Sequence, residues 1–142
     1  MHMRQTVARW IERFFPRKTL GQRGEAAAVK FLRRRGYKIL ARGSRLAPGE
    51  LDIVALDGRT IVFVEVKTRQ SQQLGHPSDA VDADKQRRLT RLAVTFLKRH
   101  GLLELPGRFD VIAITWPPGV KRPTIEHIPN AFEAVGQWEF YS

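Results

Sequence analysis

Three charged residues in one short stretch of the chain have the types and the spacing of a hydrolytic site. Asp52 lies in an apolar run over residues 51–56, and Glu65 and Lys67 end a second apolar run over residues 60–67. Successive side chains of a β-strand point to opposite faces, so Glu65 and Lys67 share one face. Because charged groups at the edge of a packed core cost free energy unless something uses them, this pattern indicates a functional site.

The elements that must position these residues are two antiparallel strands, joined by the turn dipeptide at residues 57–58. A two-residue turn at this point predicts a register in which Glu50 faces Glu65. Asp52 and Lys67 then belong to the same patch, which would hold three carboxylates and one lysine. Like charges at such short range repel strongly, and a divalent cation is the common remedy.

Other familiar sites are absent from the sequence. The four histidines are scattered, there is no cysteine, and neither a Walker-type phosphate loop nor a GxSxG elbow appears. Carboxylate and carbonyl oxygens suit Mg²⁺ or Mn²⁺, so the predicted ligands are Asp52, Glu65 and the backbone carbonyl of Val66. Lys67 would orient or deprotonate a water beside that cation, and the predicted reaction is metal-assisted phosphodiester hydrolysis.

Composition narrows the class of protein. The chain has 142 residues, is 42% hydrophobic and carries a net charge of +11, which predicts one globular domain with a polyanionic partner. Nucleic acid is the first candidate for that partner and an anionic membrane the second. No apolar run is long enough to span a membrane, and the lack of cysteine is typical of a cytoplasmic protein.

The remaining pattern predicts an α/β domain with a mixed sheet and helices on its faces. The expected elements are a helix at 20–35, a short strand at 37–41, a polar loop at 42–48, a helix from a cap at Ser78 or Asp79 to residue 99, and strands at 108–115 and 124–128. Residues 1–19 are expected to be a basic amphipathic extension with a short helix at 10–15. Residues 129–142 are expected to be a tail that packs on the core.

Four stretches, in order, resemble the YraN family of bacterial nuclease-like proteins. They are GQRGEAAAVKFLRRRGYKILAR, GELDIVALDGRTIVFVEVKTR, KQRRLTRLA and RFDVIAI. The family is similar to the archaeal Holliday junction resolvases, and Asp52 ahead of Glu65-Val66-Lys67 resembles the D…ExK signature of the PD-(D/E)XK nucleases. The resemblance covers residues 20–128 and implies a restriction-endonuclease-like core, a mixed five-stranded sheet flanked by helices.

Carried over by residue, the resemblance implies that Asp52 and Glu65 are metal ligands and that Lys67 is the catalytic lysine. It also implies that Glu25 and Gln86 are members of the site. From spacing alone, Glu25 is a first-turn partner of the helix dipole and Gln86 an exposed helix residue, and these alternatives stay open.

The function that the resemblance implies is a Mg²⁺- or Mn²⁺-dependent endonuclease acting on DNA, with branched or flapped DNA as candidate substrates. A homodimer is expected because resolvases cut two strands symmetrically. Asp110 also matches a family residue, although a structural salt bridge with Arg108 explains it equally well. The alternative function is a nucleic-acid-binding module that keeps the nuclease fold without turnover.

Overall fold

A computed structural model describes residues 17–46, 49–71 and 81–135 of the chain. The helix expected at 10–15, the caps expected at Ser78 and Asp79 and the end of the C-terminal tail lie outside these residues. Two helices and five strands are found in the described part. They are α1 (Leu20–Arg34), β1 (Lys38–Leu46), β2 (Gly49–Asp57), β3 (Thr60–Arg69), α2 (Ala83–Arg99), β4 (Gly107–Thr115) and β5 (Thr124–Phe132).

The five strands form one mixed sheet in the order β1-β2-β3-β4-β5. Strands β3 and β4 are parallel, with α2 in the connection between them, and the other neighbouring pairs are antiparallel. Helix α1 packs against one face through Ala28, Val29 and Leu32, and α2 packs against the other. The α/β class with a mixed five-stranded sheet flanked by helices is therefore confirmed.

The expected strand at 37–41 is too short, because β1 continues to Leu46 through the stretch expected to be a loop. β1 is an edge strand, so backbone bonds to β2 hold it while many of its side chains remain exposed. The register shifts between Ile39 and Ala41, which interrupts the alternation of apolar side chains by one residue. The prediction of a loop at residues 42–46, made from their polar composition, was therefore wrong.

The turn between β2 and β3 is displaced by one residue from the expected position. Asp57 pairs with Thr60, so the two central turn residues are Gly58 and Arg59, and Gly58 has a φ of 60°. Glycine at the first central position is typical of a type II′ turn. The observed pairing of β2 with β3 is shifted by two residues from the expected pairing. Because side chains alternate with a period of two, the residues expected on one face of the sheet still lie on one face.

Two other boundaries differ from those expected. Helix α2 begins at Ala83, because Asp82 is the N-cap and its side chain accepts a hydrogen bond from the backbone N–H of Lys85 at 2.8 Å. Strand β5 runs to Phe132, so residues expected to begin a separate tail are part of the sheet. Within the described residues, no helix is both long and apolar enough to cross a membrane.

Helix α1 comes very close to β3 at Gly24. A Cβ built on Gly24 would lie 1.8 Å from the Thr68 hydroxyl oxygen and 2.8 Å from the Thr68 Cβ. Only a residue without a side chain lets the helix approach the strand this closely. This contact fixes the start of α1 over the end of β3, and Glu25 is the next residue.

We expect Gly24→Ala to destabilise the protein by about 1–3 kcal/mol, because the new methyl group must displace a β-branched side chain. Gly21→Ala is the matched control in the same helix, since its Cβ would meet nothing closer than 3.9 Å. The control should gain about 0.5–1 kcal/mol from better helix propensity. Urea unfolding of both variants measures the difference, and Thr68→Ala should relieve part of the loss in the Gly24 variant. Equal stabilities of the two glycine variants would contradict the close contact.

Candidate functional site

The site lies where two neighbouring strands stop pairing. The described pairing of β2 with β3 ends at Ile53 and Val64. Beyond this point β2 continues towards Gly49 paired with β1, while β3 continues to Arg69 paired with β4. The sheet therefore forks between β2 and β3, and backbone groups inside the fork need other partners.

Asp52 is the first residue of β2 inside the fork. Its Oδ2 accepts a hydrogen bond from the backbone N–H of Val66 at 2.9 Å, which replaces the missing strand partner. The carboxylate of Glu65 is close enough to raise the pKa of Asp52, first through its charge and then through hydrogen bonding. The fork thus brings two predicted metal ligands side by side.

Glu65 is buried at this position, with 9% of its surface exposed. Its Oε1 lies 3.6 Å from the Nζ of Lys67 and 2.5 Å from the Nζ of Lys85. A buried carboxylate requires such partners, because leaving its charge unpaired costs several kcal/mol, on the order of 3–5. The structure therefore brings Asp52, Glu65 and Lys67 together, as the sequence predicted.

Asp52, Glu65 and Lys67 form a cluster with a fourth residue, Lys85, which was not predicted from the sequence. It lies in the first turn of α2, and only 19% of its side chain is exposed. Helical periodicity placed it with the arginines on the polar face of α2. A signal was nevertheless present, because Lys85 directly precedes Gln86 in the KQRRLTRLA stretch that carried part of the resemblance.

The pKa of Asp52 is raised to about 7 from its ordinary value of 3.8. Burial is the largest cause, and the charge of Glu65 adds to it, while the hydrogen bond from Val66 acts in the opposite direction. Near neutral pH the charge of Glu65 therefore opposes the ionisation of Asp52. A divalent cation between them would remove this conflict.

The two lysines of the cluster influence each other. Burial lowers the pKa of Lys67, and the neighbouring ammonium group of Lys85 lowers it further. Burial also disfavours the charge on Lys85, but hydrogen bonds to Glu65 and Lys67 outweigh it and raise the pKa of Lys85. Lys85 is thus the lysine that keeps its proton against Glu65, and Lys67 is the one that releases a proton more readily.

Glu25 approaches the cluster from α1. Its charge contributes to the raised pKa of Asp52, although less than burial and Glu65 do. Its Oε1 lies 3.7 Å from the Nε of Arg42 on β1, and a quarter of its side chain is exposed. The contact between Gly24 and Thr68 holds the helix in the position that allows this approach.

The other candidate residues have different surroundings. The side-chain amide of Gln86 donates a hydrogen bond to the carbonyl of Val81 at 3.0 Å, and its role in the site stays a prediction. The half-exposed carboxylate of Glu50 lies 3.8 Å from the Nε of Arg45 on the edge strand. Of the three carboxylates expected on one patch, Asp52 and Glu65 therefore interact directly, and the membership of Glu50 stays a prediction.

The residues present suit a hard divalent cation that takes only some of its ligands from the protein and the rest from water. In the part of the chain that is described, no group of three His, Asp or Glu side chains is placed to hold a metal ion. Mg²⁺ is commonly bound by one or two carboxylates and keeps several waters, so the pair of Asp52 and Glu65 is sufficient for it. The ammonium of Lys85, 2.5 Å from Glu65, neutralises the charge that a cation would otherwise meet.

Asp110, the remaining family match, has a structural partner on β4. Its fully buried carboxylate accepts a hydrogen bond from Arg108 Nε at 3.0 Å, which confirms the salt bridge considered from the sequence. It also lies 2.8 Å from His127 Nε2. Its described hydrogen bonds and salt bridges are to β4 and β5 and include none to the residues of the fork.

Comparison with known proteins places the chain among its relatives. A family model described as "Uncharacterised protein family UPF0102" matches residues 24–114. A UPF0102 protein of Rhodopirellula baltica is 50% identical over 125 residues, which cover 86% of this chain and 75% of that protein. A UPF0102 protein of Geobacter metallireducens is 53% identical over 116 residues, which cover 82% and 93%.

Among solved structures, the chain is similar to Hjc, a Holliday junction resolvase of Archaeoglobus fulgidus. The TM-score is 0.42 and the identity 24%, with 77% of this chain and 76% of that chain covered. The family match and the two close relatives decide the assignment. The chain belongs to the UPF0102 family, the family of the YraN proteins that its sequence resembles.

Proposed function

We propose that this protein is a metal-dependent endonuclease that hydrolyses phosphodiester bonds in DNA. The observation that supports this most is the pairing of the Asp52 and Glu65 carboxylates, with the amine of Lys67 3.6 Å from Glu65. Two carboxylates and an adjacent amine are the groups that metal-assisted phosphodiester hydrolysis requires from a protein. The net charge of +11 suits a polyanionic substrate.

The proposed mechanism assigns a role to each side chain of the cluster. Asp52 and Glu65 would hold Mg²⁺ or Mn²⁺, with the carbonyl of Val66 as a further ligand. The cation, when bound, supplies charge stabilisation at the phosphate and acidifies a water. Lys67, with its lowered pKa, accepts a proton from the attacking water or neutralises charge on the phosphate oxygens. Lys85 pairs with Glu65 while no cation is bound, and competes with the cation for that carboxylate.

The proposal has finer parts. We take branched or flapped DNA as the substrate, the cytoplasm as the place of action and a homodimer as the working form. Glu25 adds negative charge beside Asp52 on the side of α1, and Gln86 would act from the first turns of α2.

Cleavage assays test the proposal directly. The protein is incubated with branched, flapped and linear DNA in the presence of Mg²⁺, Mn²⁺ or a chelator. We expect cleavage that requires the metal and that falls by about 10²- to 10⁴-fold in Lys67→Ala. Asp52→Ala should abolish it, because one of the two proposed carboxylate ligands is then lost.

Matched controls separate the site from general charge effects. Asp84→Ala removes a carboxylate that is 88% exposed on α2, and Lys38→Ala removes an exposed lysine on β1. Both should cleave like the unaltered protein. Cleavage that persists in Asp52→Ala, or that ignores the chelator, would overturn the proposal.

Removal of the Lys85 charge should change the response to metal. Lys85→Met keeps most of the side-chain stem but leaves Glu65 without its nearest cation, so we expect a loss of about 1.5–3 kcal/mol of stability without metal. Mn²⁺ should then stabilise the variant more than it stabilises the unaltered protein, because the nearest ammonium no longer competes for Glu65. Thermal unfolding over a range of Mn²⁺ concentrations measures both effects.

Lys38→Met serves as the control for this variant, since that lysine is exposed on the edge strand. It should leave the melting temperature and the Mn²⁺ response unchanged. A Lys85 variant that no longer responds to Mn²⁺ would show that the lysine supports cation binding instead of competing with it.

A further inference from the structure

A basic groove of about 530 Å³ runs along α1, on the side of the helix away from Glu25. It lies between α1 and the segment that joins β4 to β5. Six cationic side chains line it, and no acidic side chain is among the described residues that do so. The six are Lys18, Arg23, Lys30, Arg34, Lys121 and Arg122. We refer to it as the α1 groove.

Cations gathered in one recess repel each other, and a bound anion would relieve this repulsion. Lys30 and Arg34 are exposed and one helical turn apart on α1, which places like charges at a destabilising spacing. A groove with this lining therefore suits a ligand with several negative charges.

The lining of the α1 groove also includes apolar and aromatic surface. Phe31, Trp116 and Ile125 contribute to it, together with small residues of α1. The Trp116 ring is held in place, because its N–H donates a hydrogen bond to the carbonyl of Val120 at 2.8 Å. The guanidinium of Arg23 lies 4.1 Å from the ring centroid. The guanidinium covers one face of this fixed indole, so a nucleobase that stacks on Trp116 takes the place of the guanidinium on that face.

We propose that the α1 groove binds a single strand of nucleic acid, with phosphates against the lysines and arginines and bases against the Trp116 ring. Cations and aromatic rings in one recess are the combination that single-strand binders use. Duplex binding by phosphate contact needs exposed cations only, and would make no use of an apolar recess.

The α1 groove adjoins a second recess that leads towards the carboxylates of Asp52 and Glu65. Lys18 lines both the α1 groove and a second recess that contains Glu25 and Arg42. A strand can therefore pass around the start of α1 from the groove towards the fork between β2 and β3. For the route of the strand this inference rests on the proposed nuclease function, and it favours substrates with a single-stranded arm.

Binding is tested without divalent metal, so that catalysis plays no part. Fluorescence anisotropy measures the affinity for a labelled oligothymidylate of about 12 nucleotides, a length within the site sizes of single-strand binders. Lys30→Glu/Arg34→Glu should weaken binding by about tenfold or more, since two phosphate contacts are lost and reversed. Trp116→Ala should weaken it about tenfold through loss of stacking.

The matched control is Arg59→Glu/Arg99→Glu, which changes the net charge equally at exposed positions outside the groove. It should bind the oligothymidylate within about twofold of the unaltered protein, as expected for distant surface charges. Competition by oligouridylate, by a duplex and by polyphosphate identifies the ligand. Stronger competition by either single strand than by the other two supports the proposal and shows whether DNA or RNA is preferred.

Two results would overturn the inference. The first is that the groove variants and the control variant weaken oligothymidylate binding equally. The second is that polyphosphate competes as well as the oligonucleotide and that Trp116→Ala leaves binding unchanged. An unaltered protein that binds the strand but shows no metal-dependent cleavage would count against the nuclease proposal alone, and metal-dependent cleavage without strand binding would count against the α1 groove alone.

Discussion

Asp52→Asn should abolish metal-dependent cleavage and, at pH 8 without metal, make the protein more stable. The pKa of Asp52 in the folded protein is raised to about 7 from its ordinary value of 3.8, mainly through burial and then through Glu65. Asparagine can keep the hydrogen bond from Val66 N–H and can donate one to Glu65. It carries no charge that burial would penalise.

The sign follows from proton linkage. A carboxyl group with a raised folded pKa binds its proton more tightly in the folded state, so its contribution to stability is present below the unfolded pKa. That contribution is lost as the pH rises through about 7. The unaltered protein should therefore lose stability between pH 4 and pH 7 through this group, while the asparagine variant should not. At pH 8 we expect the variant to be more stable by on the order of 2 kcal/mol.

Thermal unfolding at pH 5 and pH 8, each with and without Mn²⁺, measures the effect. At pH 8 the variant should melt about 5 °C higher without metal, and the difference should shrink at pH 5. Mn²⁺ should raise the melting temperature of the unaltered protein only. A variant that is less stable than the unaltered protein at pH 8 would show that the carboxylate has a structural role.

The fold was predictable where apolar periodicity is strong. Residues 60–67 are almost continuously apolar because α1 and α2 cover both faces of β3, and this strand was located within two residues of its end. β1 was predicted too short because an edge strand is held by backbone bonds, which leave no mark on side-chain composition. The turn was misplaced because Asp57 stays in the ladder, where its Oδ2 lies 3.2 Å from Arg108 Nη1. No local pattern predicts a partner from so distant a part of the chain.

The site was predictable to the extent that it is local. Glu65 and Lys67 are two residues apart on one strand, so period-two alternation alone puts them together. Lys85 reaches Glu65 only because α2 packs across that face of the sheet, which is a tertiary contact. The ion pair between Glu50 and Arg45 is also a contact between strands. It was not predicted because the sequence did not show that β1 extends as far as Arg45.

Asp110→Ala should destabilise the protein more than Gly24→Ala does, by about 3–5 kcal/mol, because it leaves buried partners of a carboxylate unpaired. Its side chain is fully buried, and Arg108, His127 and the backbone N–H of Asn130 all contact it. Asn130 has a φ of 49°, which is unfavourable for a residue with a side chain, and its N–H donates to Asp110 Oδ1 at 2.9 Å. The carboxylate thus holds β5 at the point where its register against β4 shifts.

The pH dependence of this loss should be opposite to that of Asp52. Burial raises the pKa of Asp110, but hydrogen bonds from His127, Arg108 and Asn130 outweigh it and hold the pKa below its usual value. The contribution of Asp110 is therefore present above pH 4 and disappears only as the pH falls through the lowered folded pKa. Urea unfolding at pH 7 and at pH 3 should show a large and then a smaller difference between Asp110→Ala and the unaltered protein.

Cleavage by the folded fraction of the Asp110 variant separates its structural role from membership of the site. The described hydrogen bonds and salt bridges of Asp110 join it to β4 and β5 and do not include Asp52, Glu65 or Lys67. We therefore expect normal metal-dependent cleavage per folded molecule at low temperature. Lost cleavage in a folded Asp110→Asn protein would instead make this carboxylate part of the chemistry, as the family match alone allowed.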